Sequence, residues 1–544
     1  MKFMKLGTCL DTFYTEEAIR TVTSDVPSDL MIRINGISYL LHQYALLPKC
    51  GLLQRLVSSK EEYSSDIITL DLQDIPGGSE AFELCAKFCY GITINLSAHN
   101  FVSAFCAAKF LRMTETVENG NFIKKLEVFF SSCILEGWKD CVATLQNAEK
   151  VYEWSENLGI VRRCIESVVD KILTPPAKVT WSYTYTRPGY KKRPHQSVPK
   201  DWWTEDISFL GVDTFRCIIN ATTNNLQPQL IGEALHVYAC RWLLDTERGG
   251  PHESSSSRAD RPRILETVVS LIPAEKGSVS VRFLIRLLRI AKFLGVSTRG
   301  ELVRLSGLQL DEAKPDDLAI ATLSSSDGQD RTSHDVDLVE TVLRSFLRQW
   351  KRQSSLRSIC KVGKTIDSYL QVIAKDFDLP VRKLICMIET LPTIARPQHD
   401  DLYKAINIYL KEHPDLSKTD KKQLCGVLDF QKLSPEVRAH AVKNERLPLR
   451  TVVQILFFER EKSSEKSAPQ EQVNNDMSKL KISAQEQPGT SGGPKCQIRE
   501  IGGPELEKRS EIKEEVNDGI ELKAQNKAQM RRLSEKAYNK GRQR

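Results

Sequence analysis

Apolar residues recur along this chain in two rhythms. Between residues 25 and 97 the runs "DLMIRING" and "ISYLLH" alternate with period two and meet at Asn35-Gly36, which predicts two strands joined by a tight hairpin turn. "YALLPKCGLLQRLVSS" is apolar enough for a pair of buried helices, and "DIITLDL" alternates as a further strand. "GGSEAFELCAKFCYG" predicts a helix with Ser79 as its N-cap. From Asn100 the spacing changes to 3.6 residues: "NFVSAFCAAKFL", "NFIKKLEVFFSSCIL" and "WKDCVATLQNAEKVYEWSENL" each carry an apolar stripe.

The helical rhythm stops between Thr174 and Lys200, where proline, glycine, tyrosine and basic residues erase all periodicity. This is a linker or long ordered loop between domains. Trp181, Tyr183 and Tyr185 alternate within it, as if one edge packs on a neighbour. Aromatics interleaved with basic residues also suit a nucleic-acid stacking strip, but the basic count is modest and no binding fold surrounds it, so no nucleic-acid partner is expected. From Asp201 to about Arg460 nearly everything periodic is helix. "VRFLIRLLRIAKFLG" aligns Phe283, Leu284, Leu287, Leu288, Ala291 and Leu294, and "DVDLVETVLRSFLRQW" aligns Val336, Val339, Leu343, Phe346 and Trp350. In "SPEVRAHAVKN" Ser434 is the expected N-cap, with Pro435 in the first turn. Helices joined by short turns, without strands, predict a helical array. Beyond residue 460 the composition collapses to Lys, Glu, Gln, Ser and Gly, predicting a disordered tail. A weak stripe of Ile512, Val516, Ile520 and Ala524 there suits a short coiled coil or amphipathic helix.

Charge and cysteine usage sharpen this picture. The net charge is +7, and from Glu521 to Arg544 eight basic residues face only Glu521 and Glu535, so six of those charges sit in the tail. Such a tail suits an acidic partner, an anionic membrane leaflet or nucleic acid, or is a solvated end that only aids solubility. The start, "MKFMKLGTCLDTFYTEE", has no apolar core of a signal peptide, and no run approaches a bilayer span of about 20 residues, so a cytoplasmic or nuclear location is expected. The 14 cysteines are scattered without a CxxC pair, as reduced thiols rather than metal ligands would be.

Candidate chemistry is scarce. "KVGKT" ends like a phosphate-binding loop, but the glycine needed five residues before its Gly-Lys-Thr is Ser358, and no β-branched strand feeds it. The stripe that follows, Ile366, Tyr369, Leu370, Ile373 and Phe377, predicts a helix with the tripeptide on its surface. "DWWTEDI" groups Asp201, Glu205 and Asp206, a spacing compatible with acid–base work but better explained as a helix N-terminus, where acids oppose the macrodipole. The nine histidines form no HxxxH or HExxH pair. The expectation is a chain without catalytic residues, cofactor or metal.

Several longer stretches carry a resemblance. "SDLMIRINGISYLLHQYALLPKCGLLQRL", with Asp29 before the first strand and His42 opening the next helix, resembles the start of a BTB/POZ domain. "ITLDLQDIPGGSEAFELCAKFCYGITINL" resembles its later half. "WSYTYTRPGY", "DWWTEDISFL", "LIPAEKGSVSVRFLIRLLRIAKFLG", "IDSYLQVIAKD", "DLYKAINIYLKEHPDLS" and "LCGVLDFQKLSPEVRAHAVKNERLPLRTVVQILFFE" resemble the plant phototropic-response (NRL) family, whose named examples include non-phototropic hypocotyl 3 and root phototropism 2. The resemblance implies an α+β BTB/POZ domain over 29–97, a helical extension over 98–173, the linker 174–200, an all-helical family domain over 201–460 and the tail 461–544. It further implies a substrate adapter of a cullin-3 ubiquitin ligase in phototropin- or auxin-linked signalling, dimeric through its BTB domain and peripheral at the plasma membrane. The expected partners are cullin-3, a phototropin-type membrane kinase and 14-3-3 proteins. A signalling scaffold without ligase work and a BTB transcription regulator are the alternatives. Cullin contact rests on family membership, because Cys50-Gly51-Leu52-Leu53 stands where many BTB domains place S-x-[FY]-F. Two modification candidates follow: Ser534 behind Arg531 and Arg532, and Tyr403, which matches a tyrosine phosphorylated in the family.

Overall fold

The computed structural model describes residues 1–59, 67–187, 190, 197–244, 260–319, 335–353 and 355–466, with side chains described to residue 460. The N-terminal strands are β1 (Phe3–Leu6), β2 (Phe13–Glu16), β3 (Ile19–Val22), β4 (Leu30–Ile34), β5 (Ile37–Leu41), β6 (Ile68–Asp71) and β7 (Ile94–Ser97). Five form one sheet in the order β2-β3-β5-β4-β6, and β1 pairs antiparallel with β7. Its centre is the hairpin expected from Asn35-Gly36: both residues have positive φ, 47° and 81°, and β4 and β5 pair antiparallel around them. Alternation sends Leu30, Ile32 and Ile34 of β4 fully inward while Arg33 stays outside. The sheet begins well before residue 29. β2 and β3 of this sheet, and β1 of the β1–β7 pair, are four-residue strands that find their partners through pairing rather than through an apolar pattern of their own.

Helices α1 (Gln43–Leu46), α2 (Gly51–Ser58), α3 (Gly78–Cys89), α4 (Phe101–Phe110), α5 (Phe122–Phe129), α6 (Trp138–Ala148), α7 (Tyr152–Asn157) and α8 (Ile160–Ile172) cover and extend this sheet. The α3 helix starts at Gly78, not after a Ser79 cap. Ser79 lies inside the helix, and its carbonyl accepts a hydrogen bond from the Tyr39 hydroxyl at 3.1 Å. The α4 helix is apolar on nearly every face, so it must be central. Phe101, Val102, Ala104, Cys106, Ala107 and Ala108 are all buried, and Phe101 stacks on Phe105 and Phe130.

The remainder is helical: α9 (Thr204–Ile207), α10 (Val212–Thr222), α11 (Pro228–Ala239), α12 (Arg261–Ser270), α13 (Val281–Leu294), α14 (Arg299–Leu308), α15 (Pro315–Leu318), α16 (Val336–Gln353), α17 (Leu356–Ile373), α18 (Val381–Thr390), α19 (Asp400–Glu412), α20 (Lys418–Gly426), α21 (Pro435–Val442) and α22 (Leu449–Lys466). From α14 to α20, helices two places apart pack on each other, giving two interleaved rows, α14–α16–α18–α20 and α15–α17–α19. Ser434 caps α21 as expected, accepting from the Val437 amide. The stripe on α16 is buried from Val336 to Phe346.

"KVGKT" lies within α17, but it is not simply helix surface. Lys361 and Lys364 face solvent. Gly363 and Thr365 are buried, the latter donating to the Ala313 carbonyl at 3.3 Å. A Cβ on Gly363 would run into the backbone carbonyl of Ala395, which cannot swing aside as a side chain would. Gly363→Ala is therefore expected to lower the thermal midpoint, with a stability loss of about 1–3 kcal/mol from overpacking. Lys364→Ala should leave the midpoint unchanged. The stripe Ile366, Tyr369, Leu370 and Ile373 is fully buried, whereas Phe377, past the helix end, is 70% exposed.

Candidate interaction surfaces

Residues 181–187 form a strap against the start of α9. Trp202 is buried between Trp138, Trp181 and Tyr183, with ring centroids 4.6, 5.7 and 5.6 Å away. This is the neighbour that the alternating aromatics of the linker predict. Acids hold its polar side. Asp206 accepts from the Trp138 indole at 2.7 Å, from the Thr184 amide at 3.1 Å and from Lys139 at 3.2 Å. Glu205 accepts the Thr186 amide at 2.8 and 2.9 Å and its hydroxyl at 3.0 Å. Asp201 pairs with Arg187 at 2.8 Å and accepts from the Tyr185 hydroxyl. The three acids of "DWWTEDI" are thus committed to binding backbone and side chains of 184–187. Glu205 and Asp206 lie in the first turn of α9 as expected, but they are buried and hold the strap instead of facing water.

A second polar cluster lies between α17, the segment that follows α18 and the start of α19. Asp367 and Arg396 form a buried ion pair at 2.8 Å, and Arg396 also donates to the Ile388 carbonyl at 2.7 Å. Burial pushes the Asp367 carboxyl up to about 6, against the pull of Arg396. His399 stands at the start of α19, its Nδ1 accepting from the Asp429 amide at 3.1 Å. An acceptor nitrogen requires the neutral ring, and burial, with Lys432 and Arg396 nearby, lowers its pKa to about 4. The folded state thus binds this proton less readily than the unfolded chain. Stability contributed by His399 is present above about 6.5 and is lost as pH falls toward about 4. His399→Asn keeps an acceptor without the titration, so its melting temperature is expected to fall less than that of the parent between pH 6.5 and 4.5.

Tyr403 is 3% exposed. Its hydroxyl contacts His440 Nδ1 at 2.8 Å and accepts from Asn444 at 3.1 Å, so a kinase reaches it only when α21 lifts away. Ser534, the coiled-coil stripe and the basic tail lie outside the described residues. Among the described cysteines, Cys50, Cys85, Cys89, Cys106, Cys141, Cys164 and Cys425 are buried thiols, and Cys9, Cys217 and Cys386 are exposed. Among the described residues no helix is long and apolar enough to cross a membrane.

Comparison with known proteins places this arrangement. Residues 201–437 match the NPH3 family. A BTB/POZ domain-containing protein of Arabidopsis thaliana is 58% identical over 483 residues, spanning 85% of this chain and 86% of that protein. The chain belongs to the NPH3 family. Within that family it is also 39% identical to the phototropic-responsive NPH3 family protein NPY1 of Arabidopsis thaliana over 487 residues, covering 84% of this chain and 81% of that protein. Root phototropism protein 3 of the same plant is 34% identical over 565 residues, covering 81% and 75%. No solved structure matches. The NPH3 match opens at Asp201, the acid that pairs with Arg187 of the strap, and ends inside α21. The α22 helix lies beyond it and leaves Leu449, Leu456 and Phe457 exposed. What sequence reading missed was the anchoring task of the acids in "DWWTEDI". The available signal was their proximity to an aromatic, proline-broken segment rich in unpaired backbone groups.

Proposed function

We propose that this NPH3-family chain is a non-catalytic adapter. It dimerises through its N-terminal sheet region, docks cullin-3 and presents a signalling client held by its helical domain for ubiquitin transfer. One observation supports this most: the relatives named for a BTB/POZ domain align across most of the chain, and the N-terminal strands expose Phe3, Tyr14 and Ile19, with Leu10 between them and Tyr44 on α1. Large exposed apolar side chains on a sheet edge favour pairing with another chain, and a stable interface buries about 1,600 Å² in total. The client in this reading is a phototropin-type membrane kinase or an auxin-linked signalling protein, met in the cytoplasm at the plasma membrane. The basic residues 521–544 supply attraction to anionic lipid, and a phosphate on Ser534, adding about −1.5 to −2 charge, weakens it or creates a 14-3-3 site. A modified Tyr403 belongs to a state in which α21 has opened.

Purified full chain mixed with recombinant cullin-3 at about 10 µM, near the micromolar range of specific association, is the direct test. Co-elution on size exclusion, with light scattering showing twice the 61.7 kDa chain mass for the chain alone, is the expected result. A strict monomer with no cullin complex would sink the ligase reading. A dimer without cullin would leave the scaffold.

A further inference from the structure

The α16 helix runs between two clefts. On one side, against α18, a cleft of about 670 Å³ is lined by Arg344, Arg348, Lys351, Glu389 and Thr390. On the other, against α14, a cleft of about 510 Å³ is lined by Arg299, Arg304, Arg348 and Arg352, with no acid among its lining residues. Arg348 belongs to both. Two of these cations have carboxylate partners: Arg304 grips Glu301 through two bonds of 2.6 and 2.8 Å, and Arg344 rests on Glu340. Arg299, Arg348, Lys351 and Arg352 have no carboxylate partner among the described residues, although Arg348 Nε donates to the Arg344 carbonyl at 3.3 Å.

Like charges gathered in a concave surface repel one another and raise the potential inside it, so an anion that enters relieves a standing cost. The donors are mostly guanidinium forks, whose planar geometry suits phosphate oxygens two at a time. The surroundings narrow the source of that anion. No large hydrophobic side chain on α14, α16 or α18 is exposed among the described residues, so nothing here would anchor in lipid. Neither cleft has an aromatic side chain on which a nucleobase could stack. Two grooves flanking a helix, joined by one arginine, instead suit an extended peptide carrying phosphate.

We infer that α16 and its two clefts form a docking site for a phosphorylated segment of a partner protein, read chiefly by Arg299, Arg348, Lys351 and Arg352. This deepens the adapter reading by giving the client its chemistry: phosphorylation is the mark that makes it a client. Arg348, shared by both grooves, is the residue on which affinity depends most. The exposed Lys364, on α17 and lining neither cleft, contributes nothing to it.

Fluorescence polarisation of the full chain tests this with a degenerate phosphoserine/phosphothreonine peptide pool and its unphosphorylated counterpart. Vesicles of phosphatidylserine and phosphatidylcholine and a single-stranded oligonucleotide serve as rival probes. The phosphorylated pool is expected to bind about tenfold or more tightly than the unphosphorylated one, as charge-assisted bonds to two or more arginines would give. Arg348→Glu and the pair Arg299→Glu/Arg352→Glu should each weaken it by about tenfold or more, and Lys364→Glu by less than about twofold. Because all four positions are solvent-exposed, melting temperatures should stay level, and Arg348→Gln should fall between parent and Arg348→Glu. Equal affinity for both pools, tighter binding of vesicles or oligonucleotide, or an equal loss in Lys364→Glu would overturn the proposal. No cullin is present, so failure here leaves the adapter reading standing, and failure of cullin recovery leaves this measurement intact.

Discussion

Asp367→Leu is expected to destabilise the helical domain by about 3–5 kcal/mol, read as a lowered urea midpoint at pH 7.5. The partner left behind is the reason. Arg396 is 6% exposed, and its remaining bond goes to the Ile388 carbonyl. One guanidinium nitrogen already lacks a partner. A buried cation would then stand without a counter-charge between α17 and α18. The converse change, Arg396→Met, should cost less, because the stranded Asp367 can take up a proton. Burial already holds that carboxyl at about 6, and losing Arg396 raises it further. The Arg396→Met deficit should therefore shrink as pH is lowered from 7.5 to 5.5, while the Asp367→Leu deficit should not. The double variant Asp367→Leu/Arg396→Met should recover most of the loss, since replacing a whole buried pair by apolar groups is often neutral or better. Additive single losses in the double variant would show that the two groups are not energetically paired.

The other large effect belongs to Asp206. Asp206→Ala is expected to cost about 3 kcal/mol, because each hydrogen bond to a charged acceptor contributes roughly 1.5–3 kcal/mol. Lys139 can turn its ammonium to water, being about a third exposed, but Trp138 is fully buried and its indole N–H has nowhere to go. The Thr184 amide is stranded with it. Asp206→Asn retains an acceptor oxygen and should lose only about 1 kcal/mol. Limited proteolysis within residues 181–187 gives an independent reading: cleavage should accelerate in Asp206→Ala before global unfolding. A strap that stays protected would mean that the tryptophan stack around Trp202 alone secures it.

Much of this fold could be read from the chain because its cues are local. Asn35-Gly36 specifies its turn through backbone sterics alone, and Ser434 caps α21 with an amide three residues away. The all-round apolar α4 declares its central position. The misreadings share the opposite property. β1 depends on partners more than 80 residues away, so four residues of weak alternation carry no signal. Gly363 is necessary because of Ala395, a fact that its own helix does not contain. Phe377 continues a helical stripe in sequence after the helix has ended. The acids of "DWWTEDI" were visible as a group, but their task was not, because the partners of Glu205 and Asp206 include the Thr184 and Thr186 amides, which carry no sequence label. The cations of α16 were spelled out in "RSFLRQWKRQ", where Arg344, Arg348, Lys351 and Arg352 fall on neighbouring turns. Only the flanking helices reveal that they line clefts and do not simply face water.

The strap has a mechanical consequence. Residues 181–187 are riveted to both α6 and α9, so this part of the connection cannot swing independently of either helix. Force applied at α9 is passed to α6 with little slack, through the Asp206 carboxylate held by Trp138 and Lys139. Relatives that differ in reach or angle would have to change the rivets themselves, because lengthening the connection alone would do nothing.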